Sequence, residues 1–228
     1  MLSEVSHLFF PDLCCGCSSD LLLANQLLCF HCQNKLNETG FALIADNPVE
    51  KIWWGRVQVA AAMSQFYFTK ESLLQDLIHQ LKYKGNRELG RYLGKFMGQT
   101  LKTSRRFDHL DLIIPLPLFA DKFKIRGYNQ STMLSLGIAE VLDLPVREDF
   151  IFRIRQTESQ THKTRMERWQ NMEGVFDAKP LKEFSQLNVL IVDDVVTTGA
   201  TLEACCAALL EEHPGCSVSI ATLAYAEK

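Results

Sequence analysis

The sequence predicts an α/β fold in which a central parallel sheet is flanked by helices and preceded by a small zinc-binding module. Residues Val189–Val192 form a continuous apolar run, and a short loop connects this run to a helical pattern over Leu202–His213. Strands that are buried on both faces of a parallel sheet have this composition. Four cysteines near the start of the sequence have the spacing of a tetrahedral zinc site. We therefore predict a zinc module with its linker in residues 1–50 and an α/β domain in residues 51–228.

The composition is that of an ordinary globular protein. The chain has 228 residues, of which 47% are hydrophobic and 22% are charged, which is enough for one core and a small appendage. The net charge of −3 excludes a polycation that coats nucleic acid indiscriminately. No apolar segment approaches the roughly 20 residues that span a bilayer, and Met1–Pro11 lacks the basic start of a signal peptide. We expect a cytoplasmic protein without membrane insertion.

The cysteines near the start of the sequence form two Cys-x-x-Cys pairs separated by eleven residues. Two such pairs place four thiolates around one metal ion, and clustered cysteines in a cytosolic protein are more often metal ligands than disulfides. Two other side chains keep the ligand set open, because Cys15 is adjacent to the first pair and His31 lies within the second. Reduced buried thiols and a redox pair are the alternatives to zinc. The predicted ligands are Cys14, Cys17, Cys29 and Cys32.

Other apolar patterns supply the remaining strands and helices of the domain. An apolar stripe with helical period starts near Glu71 and ends at Gly85, where glycine suits a helix terminus. The two tryptophans of the linker, Trp53 and Trp54, are interpreted as packing residues. In chain order we predict a linker at Asn34–Arg56, a strand or hairpin within Arg56–Phe68, a helix from Glu71, a helix at Arg87–Thr103, a strand at Asp111–Pro117, a helix at Gln130–Leu142 and a closing strand at Val218–Tyr225.

Two basic stretches are candidates for binding an anion. The segment Lys122–Gln130 follows a predicted strand, and we interpret it as a loop at the carboxyl edge of the sheet, where doubly wound folds bind ligands. The segment Arg153–Arg168 has no apolar period, and residues 151–168 contain five basic and two acidic residues, so we predict a mobile arm. Solvated surface loops are the alternative in both cases. The candidate cations are Lys122 and Arg126 in the first segment, Arg153, Lys163, Arg165 and Arg168 in the second, and Lys84 at the end of the helix predicted from Glu71.

The segment Val189–Thr201, VLIVDDVVTTGAT, carries the strongest functional pattern. Asp193 and Asp194 follow the buried strand, where carboxylates can accept hydrogen bonds from two neighbouring hydroxyls. A loop of threonine and glycine that opens a helix leaves backbone N–H groups free to bind a phosphate. Together these features indicate a ribose phosphate. The alternative is that the two acids merely end the strand and cap the helix.

Six motifs together resemble the competence-protein-F (ComF) family of phosphoribosyltransferase-like proteins, over the chain from about Pro11 to its end. The VLIVDDVVTTGAT segment resembles the signature with which type I phosphoribosyltransferases bind 5-phosphoribosyl-1-pyrophosphate (PRPP), and the other motifs make the resemblance specific. These are the paired cysteines, LKYKG at Leu81–Gly85, PLPL at Pro115–Leu118, RGYNQ at Arg126–Gln130 and the RxRxTxxQ arm that begins at Arg153.

The resemblance implies a type I phosphoribosyltransferase-like fold with a zinc-ribbon-like module at its start. It assigns Asp193 and Asp194 to the ribose hydroxyls, the loop after Pro117 to pyrophosphate, and the arm to a flap over the site. It also implies Mg²⁺ bound with PRPP, and a role in natural transformation on incoming single-stranded DNA with the competence machinery. The residues that it places against PRPP are Asp193, Asp194, Val195, Thr197, Thr198, Gly199, Ala200 and Thr201.

Two functions remain open from the sequence. The first is a phosphoribosyltransferase whose acceptor, general base and turnover the sequence does not reveal. The second is a non-catalytic protein that grips single-stranded DNA through the phosphate loop, with Tyr128 and Trp169 as stacking groups. We do not expect a glutamine amidotransferase, because position 2 is Leu2 rather than a nucleophilic cysteine and the residues before the core fit only a zinc module.

Overall fold

The structure is a computed structural model that describes residues 12–154, 174–180 and 186–227. Its strands are β1 (Ala61–Tyr67), β2 (Leu112–Pro115), β3 (Ile151–Arg153), β4 (Phe176–Ala178), β5 (Asn188–Val196) and β6 (Ser217–Tyr225). Its α-helices are α1 (Phe30–Asn34), α2 (Leu73–Tyr83), α3 (Arg87–Thr103), α4 (Ala120–Arg126), α5 (Gln130–Leu142) and α6 (Ala200–Glu212). Short 3₁₀ helices form at Phe41–Leu43, Glu50–Trp53 and Arg105–Phe107.

The central sheet has the strand order β1-β6-β5-β2, and every neighbouring pair is parallel. Strand β5 lies inside the sheet, and its residues Val189–Val192 are completely buried. The apolar run therefore forms the doubly buried strand that the sequence predicts. Because all four strands run the same way, their carboxyl ends share one edge, which is where open α/β sheets bind ligands. The predicted α/β architecture is confirmed.

The helix starts follow from local sequence. The side chains of Ser72, Asn86 and Asn129 each accept a hydrogen bond from a backbone N–H in the first turn of the helix that follows. Such caps satisfy donors that the helix itself leaves free. Helices α3 and α5 have the predicted bounds, whereas α2 begins two residues after Glu71. No helix in the described ranges is both long and apolar enough to span a bilayer.

Two predictions about irregular segments are wrong in part. The basic stretch after β2 is not simply a loop, because its first half forms α4, which ends at Gly127 with a φ of 72°. None of the seven residues of α4 is buried, so the helix shows no apolar stripe by which it could be recognised. Among the described residues of the predicted arm, only Arg153 lies in a strand, as the last residue of β3, which pairs antiparallel with β4, and Ile154 follows it. The rest of the arm, with Lys163, Arg165 and Arg168, lies outside the described residues.

The predicted linker packs against the sheet. The Asn47 amide nitrogen donates to three backbone carbonyls, at Phe41, Ile44 and Ala62, over 2.8 to 3.1 Å. Glu50 accepts the backbone N–H of Ala62 at 2.9 Å and pairs with Arg106. Residues 47–56, here called the support segment, are thus fixed on β1. The division at residue 50 stays a prediction.

Helices α3 and α5 approach each other through glycine. A Cβ atom added at Gly137 would lie 2.8 Å from the Cα of Gly94 and would overlap the carbonyl oxygen of Arg91.

We expect Gly137→Ala to lower the free energy of unfolding by about 1–3 kcal/mol through overpacking, although the same change in an open helix raises it by roughly 0.5–1 kcal/mol. Urea unfolding measures the difference. The control is Gln99→Ala on the exposed side of α3, which should stay within about 0.5 kcal/mol of wild type; a stabilised Gly137→Ala protein would contradict this helix contact.

Candidate functional site

The loop between β5 and α6 lies at the carboxyl edge of the sheet. Gly199 caps α6 with a φ of 73°, a left-handed conformation that favours glycine. The backbone N–H groups of the first helical turn have no carbonyl partner within the helix and face this loop. The structure thus brings Thr197, Thr198, Gly199, Ala200 and Thr201 into one turn at the positive end of a helix dipole.

The two adjacent carboxylates before the loop lie at the carboxyl end of β5, and they contact different helices. An Asp193 oxygen accepts a hydrogen bond from the Ser131 hydroxyl at 3.0 Å, which connects it to the first turn of α5. An Asp194 oxygen lies 2.9 Å from the Lys82 ammonium of α2. Val195 follows them and is half-buried. Each acid is therefore held by a different helix.

Burial is the largest cause of a raised pKa at Asp193. Its removal from water and the neighbouring Asp194 carboxylate raise its pKa from 3.8 to about 7, and the backbone, Lys82 and Ser131 oppose this only in part. Desolvation always favours the neutral form of a carboxylic acid. Asp193 therefore exchanges its proton near neutral pH, and its charge state is sensitive to any cation or ligand that arrives beside it.

Cations from three elements surround the acids. Partial desolvation lowers the pKa of Lys122 in α4, and the charges of Arg153, Arg126 and Lys82 lower it further. The pKa of Arg153 in β3 is also lowered by burial, while the Asp193 charge opposes the shift. Cations whose charges lower the pKa of Lys122 are close enough to it to act together with it on one polyanion. Of the predicted cations, Lys122, Arg126 and Arg153 come together here.

Lys82 is a site residue that the sequence analysis missed in favour of Lys84. Lys84 is exposed at the end of α2, whereas Lys82 lies one turn after the buried Ile78 and reaches Asp194. The helical period alone does not separate the two lysines of the LKYKG motif, because Lys82 is four positions after the buried Ile78 and Lys84 is three positions after the buried Leu81. They differ in that Lys82 lies within α2, whereas Lys84 is the residue that ends the helix.

Tyr128 does not serve as a stacking group, which corrects the sequence-based hypothesis. Tyr128 has a relative exposure of only 5%, and its hydroxyl donates to the Leu81 carbonyl. The neighbouring Asn129 amide donates to the Leu116 carbonyl at 2.9 Å. These two residues therefore tie the start of α5 to α2 and to the end of β2. Trp169, the other proposed stacking group, lies outside the described residues.

Trp53 contacts the loop directly. Its indole N–H donates to the Gly199 carbonyl at 3.1 Å, and the side chain is almost completely buried. Arg56, three residues later, pairs with Glu203 in the first turn of α6 at 2.9 Å. Burial of Trp53 agrees with its interpretation as a packing residue, but Trp54 is 58% exposed. Nothing in the local sequence indicates the contact between Trp53 and a loop 146 positions away.

The four predicted zinc ligands come together. The sulfur atoms of Cys14, Cys17, Cys29 and Cys32 all lie within 4.8 Å of one another. Burial raises the pKa of the Cys14 thiol, but hydrogen bonds from the backbone of Cys29, Cys17 and Gly16 outweigh burial and lower it to about 6. A sulfur that already favours the thiolate is suited to a metal ion. The cluster could hold zinc, which prefers four thiolates in a tetrahedron.

The structure distinguishes the two open candidates from this cluster. Cys15 points towards the Asn86 amide, whose nitrogen lies 3.6 Å from its sulfur, and its carbonyl accepts a hydrogen bond from Gln80. His31 is exposed on α1. Neither belongs to the cysteine cluster found among the described residues. The Cys15 contacts instead attach the module to α2 and to the start of α3.

Comparison with known proteins finds one matching domain model and two solved structures of weak similarity. A model of the phosphoribosyl transferase domain matches residues 130–228, which contain β5, the phosphate loop and α6. Two solved structures match in part. One is a glutamine PRPP amidotransferase from B. subtilis, with 16% identity and a TM-score of 0.38 over 62% of this chain and 30% of that chain. The other is adenine phosphoribosyltransferase from Saccharomyces cerevisiae, with 14% identity and a TM-score of 0.33 over 67% of this chain and 68% of that chain.

Relatives match over most of the sequence. Competence protein F of Haemophilus influenzae is 27% identical over 85% of this chain and 89% of its own length. Competence protein ComFC of Bacillus subtilis is 27% identical over 89% of this chain and 86% of its own length. DNA utilization protein YhgH of Salmonella typhi is 34% identical over 55% of this chain and 56% of its own length. The chain is therefore a homologue of competence protein F and ComFC that carries a phosphoribosyl transferase domain.

Proposed function

We propose that this chain binds a ribose phosphate, with PRPP and Mg²⁺ as its ligands, and that it acts in the cytoplasm in DNA uptake. One observation carries the proposal: a phosphate-binding type of loop and a carboxylate pair lie at the end of one central strand, facing cations from three other elements. The names of the relatives, competence protein and DNA utilization protein, support the process.

In this proposal, each part of the site suits one part of the ligand. Backbone N–H groups at the start of α6 suit the 5′-phosphate. The carboxylates of Asp193 and Asp194 suit the ribose hydroxyls, which are hydrogen-bond donors. Lys122, Arg126 and Arg153 suit the pyrophosphate, where negative charge would accumulate if the bond to the ribose breaks. The proposed activity is transfer of the ribose phosphate to an acceptor that the site does not identify.

The carboxylates also fit Mg²⁺. This ion prefers hard oxygen ligands and usually binds through one or two carboxylates together with substrate phosphates. Asp193 and Asp194 are the residues that would hold it, and the ion would neutralise charge on the pyrophosphate. A cation beside Asp193 would also lower the pKa of that carboxyl, because an opposite charge favours the ionised form.

The first test concerns Asp193. A pKa of about 7 means that the carboxylate, which can accept hydroxyl hydrogen bonds, predominates only above neutral pH. We expect wild-type affinity for PRPP with Mg²⁺ to rise between pH 6 and pH 8. Asp193→Asn should bind roughly tenfold or more weakly at pH 8, since hydrogen bonds to charged groups contribute about 1.5–3 kcal/mol. The variant should also lack the rise that comes from Asp193.

Calorimetry at pH 6, 7 and 8 measures both effects. Ionisation of the ligand contributes equally to wild type and variant, so the comparison between them isolates Asp193. Asp177→Asn, which changes an exposed carboxylate on β4, is the matched control and should behave as wild type. Equal affinities and equal pH profiles for Asp193→Asn and wild type would remove Asp193 from the ligand site.

We also propose that the four-cysteine cluster holds one structural zinc ion. All four positions of a tetrahedral zinc would then be filled by protein, which leaves none for catalysis. Metal binding of this kind contributes directly to folding. The contacts of Cys15 with α2 and α3 explain how the module would transmit that stability to the domain.

Elemental analysis tests the zinc site. Protein purified without chelator should contain about one zinc per chain, and Cys29→Ser should lose most of it. Cys15→Ser is the matched control, because it removes a neighbouring thiol that points away from the cluster, and it should keep its metal. A chelator should lower the melting temperature of wild type. Full zinc content in Cys29→Ser, or loss of zinc in Cys15→Ser, would contradict the assigned ligands.

The second candidate function is binding of single-stranded DNA, and α4 is the observation that favours it. The helix exposes Phe123 and Ile125 beside three cations, and Arg126 lies over the exposed ring of Tyr83 at 5.4 Å. Aromatic rings beside basic side chains are what single-stranded nucleic acid requires for base stacking and phosphate contacts. The surface adjoins the Asp193 and Asp194 site, so one strand could reach both.

Salt dependence distinguishes this candidate. Binding of a single-stranded oligonucleotide should weaken with salt at a logarithmic slope of about −0.7 per phosphate contact. The combined variant Lys84→Ala, Lys122→Ala and Lys124→Ala should therefore flatten the slope by about two units. Lys35→Ala, an exposed lysine on the zinc module, is the control. An unchanged slope in the combined variant would place any DNA contacts elsewhere.

A further inference from the structure

We propose that Trp53 is a positioning residue that orients the backbone of the phosphate loop. This inference rests on the proposed function, because it assumes that the turn Thr197–Thr201 receives a phosphate. Trp53 lies in the support segment, outside the PRPP-like signature, and it reaches the loop from the far side of Gly199. Its role concerns the shape of the loop, so it need not touch the ligand.

The hydrogen bond from Trp53 fixes the orientation of the peptide plane between Gly199 and Ala200. The Gly199 carbonyl accepts two hydrogen bonds, one from the Trp53 indole N–H at 3.1 Å and one from the Glu203 backbone N–H at 2.8 Å. A trans peptide is planar, so its N–H points opposite to its C=O. When the Gly199 oxygen is held towards Trp53 and the helix, the N–H of Ala200 must point away from them, in the direction from which an anion approaches a helix start.

The packing around Gly199 leaves the backbone of the loop little freedom to adopt another conformation. A Cβ atom at this position would lie 2.8 Å from the Trp53 indole nitrogen and 2.5 Å from Cγ2 of Ile52. The loop backbone therefore lies flush against the support segment. Glycine at this position meets two requirements at once, the positive φ and the close approach of Trp53 and Ile52.

Trp53 is itself held firmly. Its carbonyl accepts the backbone N–H of Arg56 at 3.0 Å, and the Arg56 guanidinium pairs with Glu203 in the same helical turn that Gly199 starts. The preceding residue pair, Asn47 and Glu50, is bonded to the backbone of β1. The start of α6 is thus fixed from two points to the edge strand of the sheet. A binding group that is fixed before the ligand arrives loses less entropy on binding.

The test compares Trp53→Phe with Trp54→Phe. The first change keeps an aromatic ring and removes the N–H donor to Gly199, while the second alters a neighbouring exposed ring whose contact is the Lys51 ammonium, 5.5 Å from its centroid. We expect Trp53→Phe to weaken the binding of ribose 5-phosphate several-fold, with an upper limit of about tenfold if the whole net free energy of the lost hydrogen bond is needed to reorient the loop. Trp54→Phe should bind as wild type.

Pyrophosphate with Mg²⁺ separates positioning from general damage. Its proposed cations lie on α4 and β3, so Trp53→Phe should keep its pyrophosphate affinity within about twofold, which is within the scatter of neutral substitutions. Amide hydrogen exchange provides a readout without ligand. The Glu203 amide, which shares the Gly199 acceptor with Trp53, should exchange faster in Trp53→Phe, while core amides of β5 keep their wild-type rates.

The outcomes are distinguishable. If wild type binds ribose 5-phosphate and Trp53→Phe binds it equally well, the inference about Trp53 is overturned and the proposed function stands. If wild type does not bind ribose 5-phosphate, the proposed function and this inference fail together. Equal losses for ribose 5-phosphate and pyrophosphate would show general damage and overturn the positioning role. If Trp53→Phe does not fold, β-(3-benzothienyl)alanine at position 53 keeps the fused rings, removes the same donor and gives the same comparison.

Discussion

The end of β5 imposes the constraint on which the site depends, because it places two adjacent carboxylates at the edge of a buried parallel strand. Each charge must be compensated by a group from another element, since an unpaired buried carboxylate is strongly unfavourable. Lys82 compensates Asp194 from α2, and Ser131 contacts Asp193 from the start of α5. The positions of both helices are therefore connected to the chemistry of the site.

The compensation is incomplete at Asp193, and this has a definite effect on stability. At pH values below 3.8 the carboxyl is protonated in both the folded and the unfolded chain. Between pH 3.8 and about 7 the folded chain keeps a proton that the unfolded chain has released, so the free energy of unfolding falls as the pH rises through this window. Above pH 7 the full cost of the ionised group is present. A cation that stabilises the carboxylate would recover part of this cost, which couples ligand binding to folding.

The sequence was sufficient wherever one local pattern determines the structure. The apolar run Val189–Val192 identified the central strand, and the predicted bounds of α3 and α5 agree with the structure, in which Asn86 and Asn129 cap these helices. The cysteine spacing identified the four sulfur atoms that meet. In each case the residues that matter are close in sequence, so propensity, period and spacing carry the information.

The sequence was insufficient where function depends on contacts between distant segments. Tyr128 lies in a conspicuous motif with cations and an aromatic ring, yet the ring is buried against α2 because its hydroxyl finds a carbonyl there. The helix α4 has no buried face, so its sequence has no apolar period that would predict a helix. The large apolar side chain of Trp53 predicts a position in the core. Only the folded structure shows that its indole N–H donates to the Gly199 carbonyl. A buried tryptophan usually finds a partner for its N–H, so the informative question is which carbonyl it reaches. Here the carbonyl belongs to the loop whose opposite N–H groups would hold the phosphate. The support segment therefore joins the packing of the sheet edge to the shape of the ligand site.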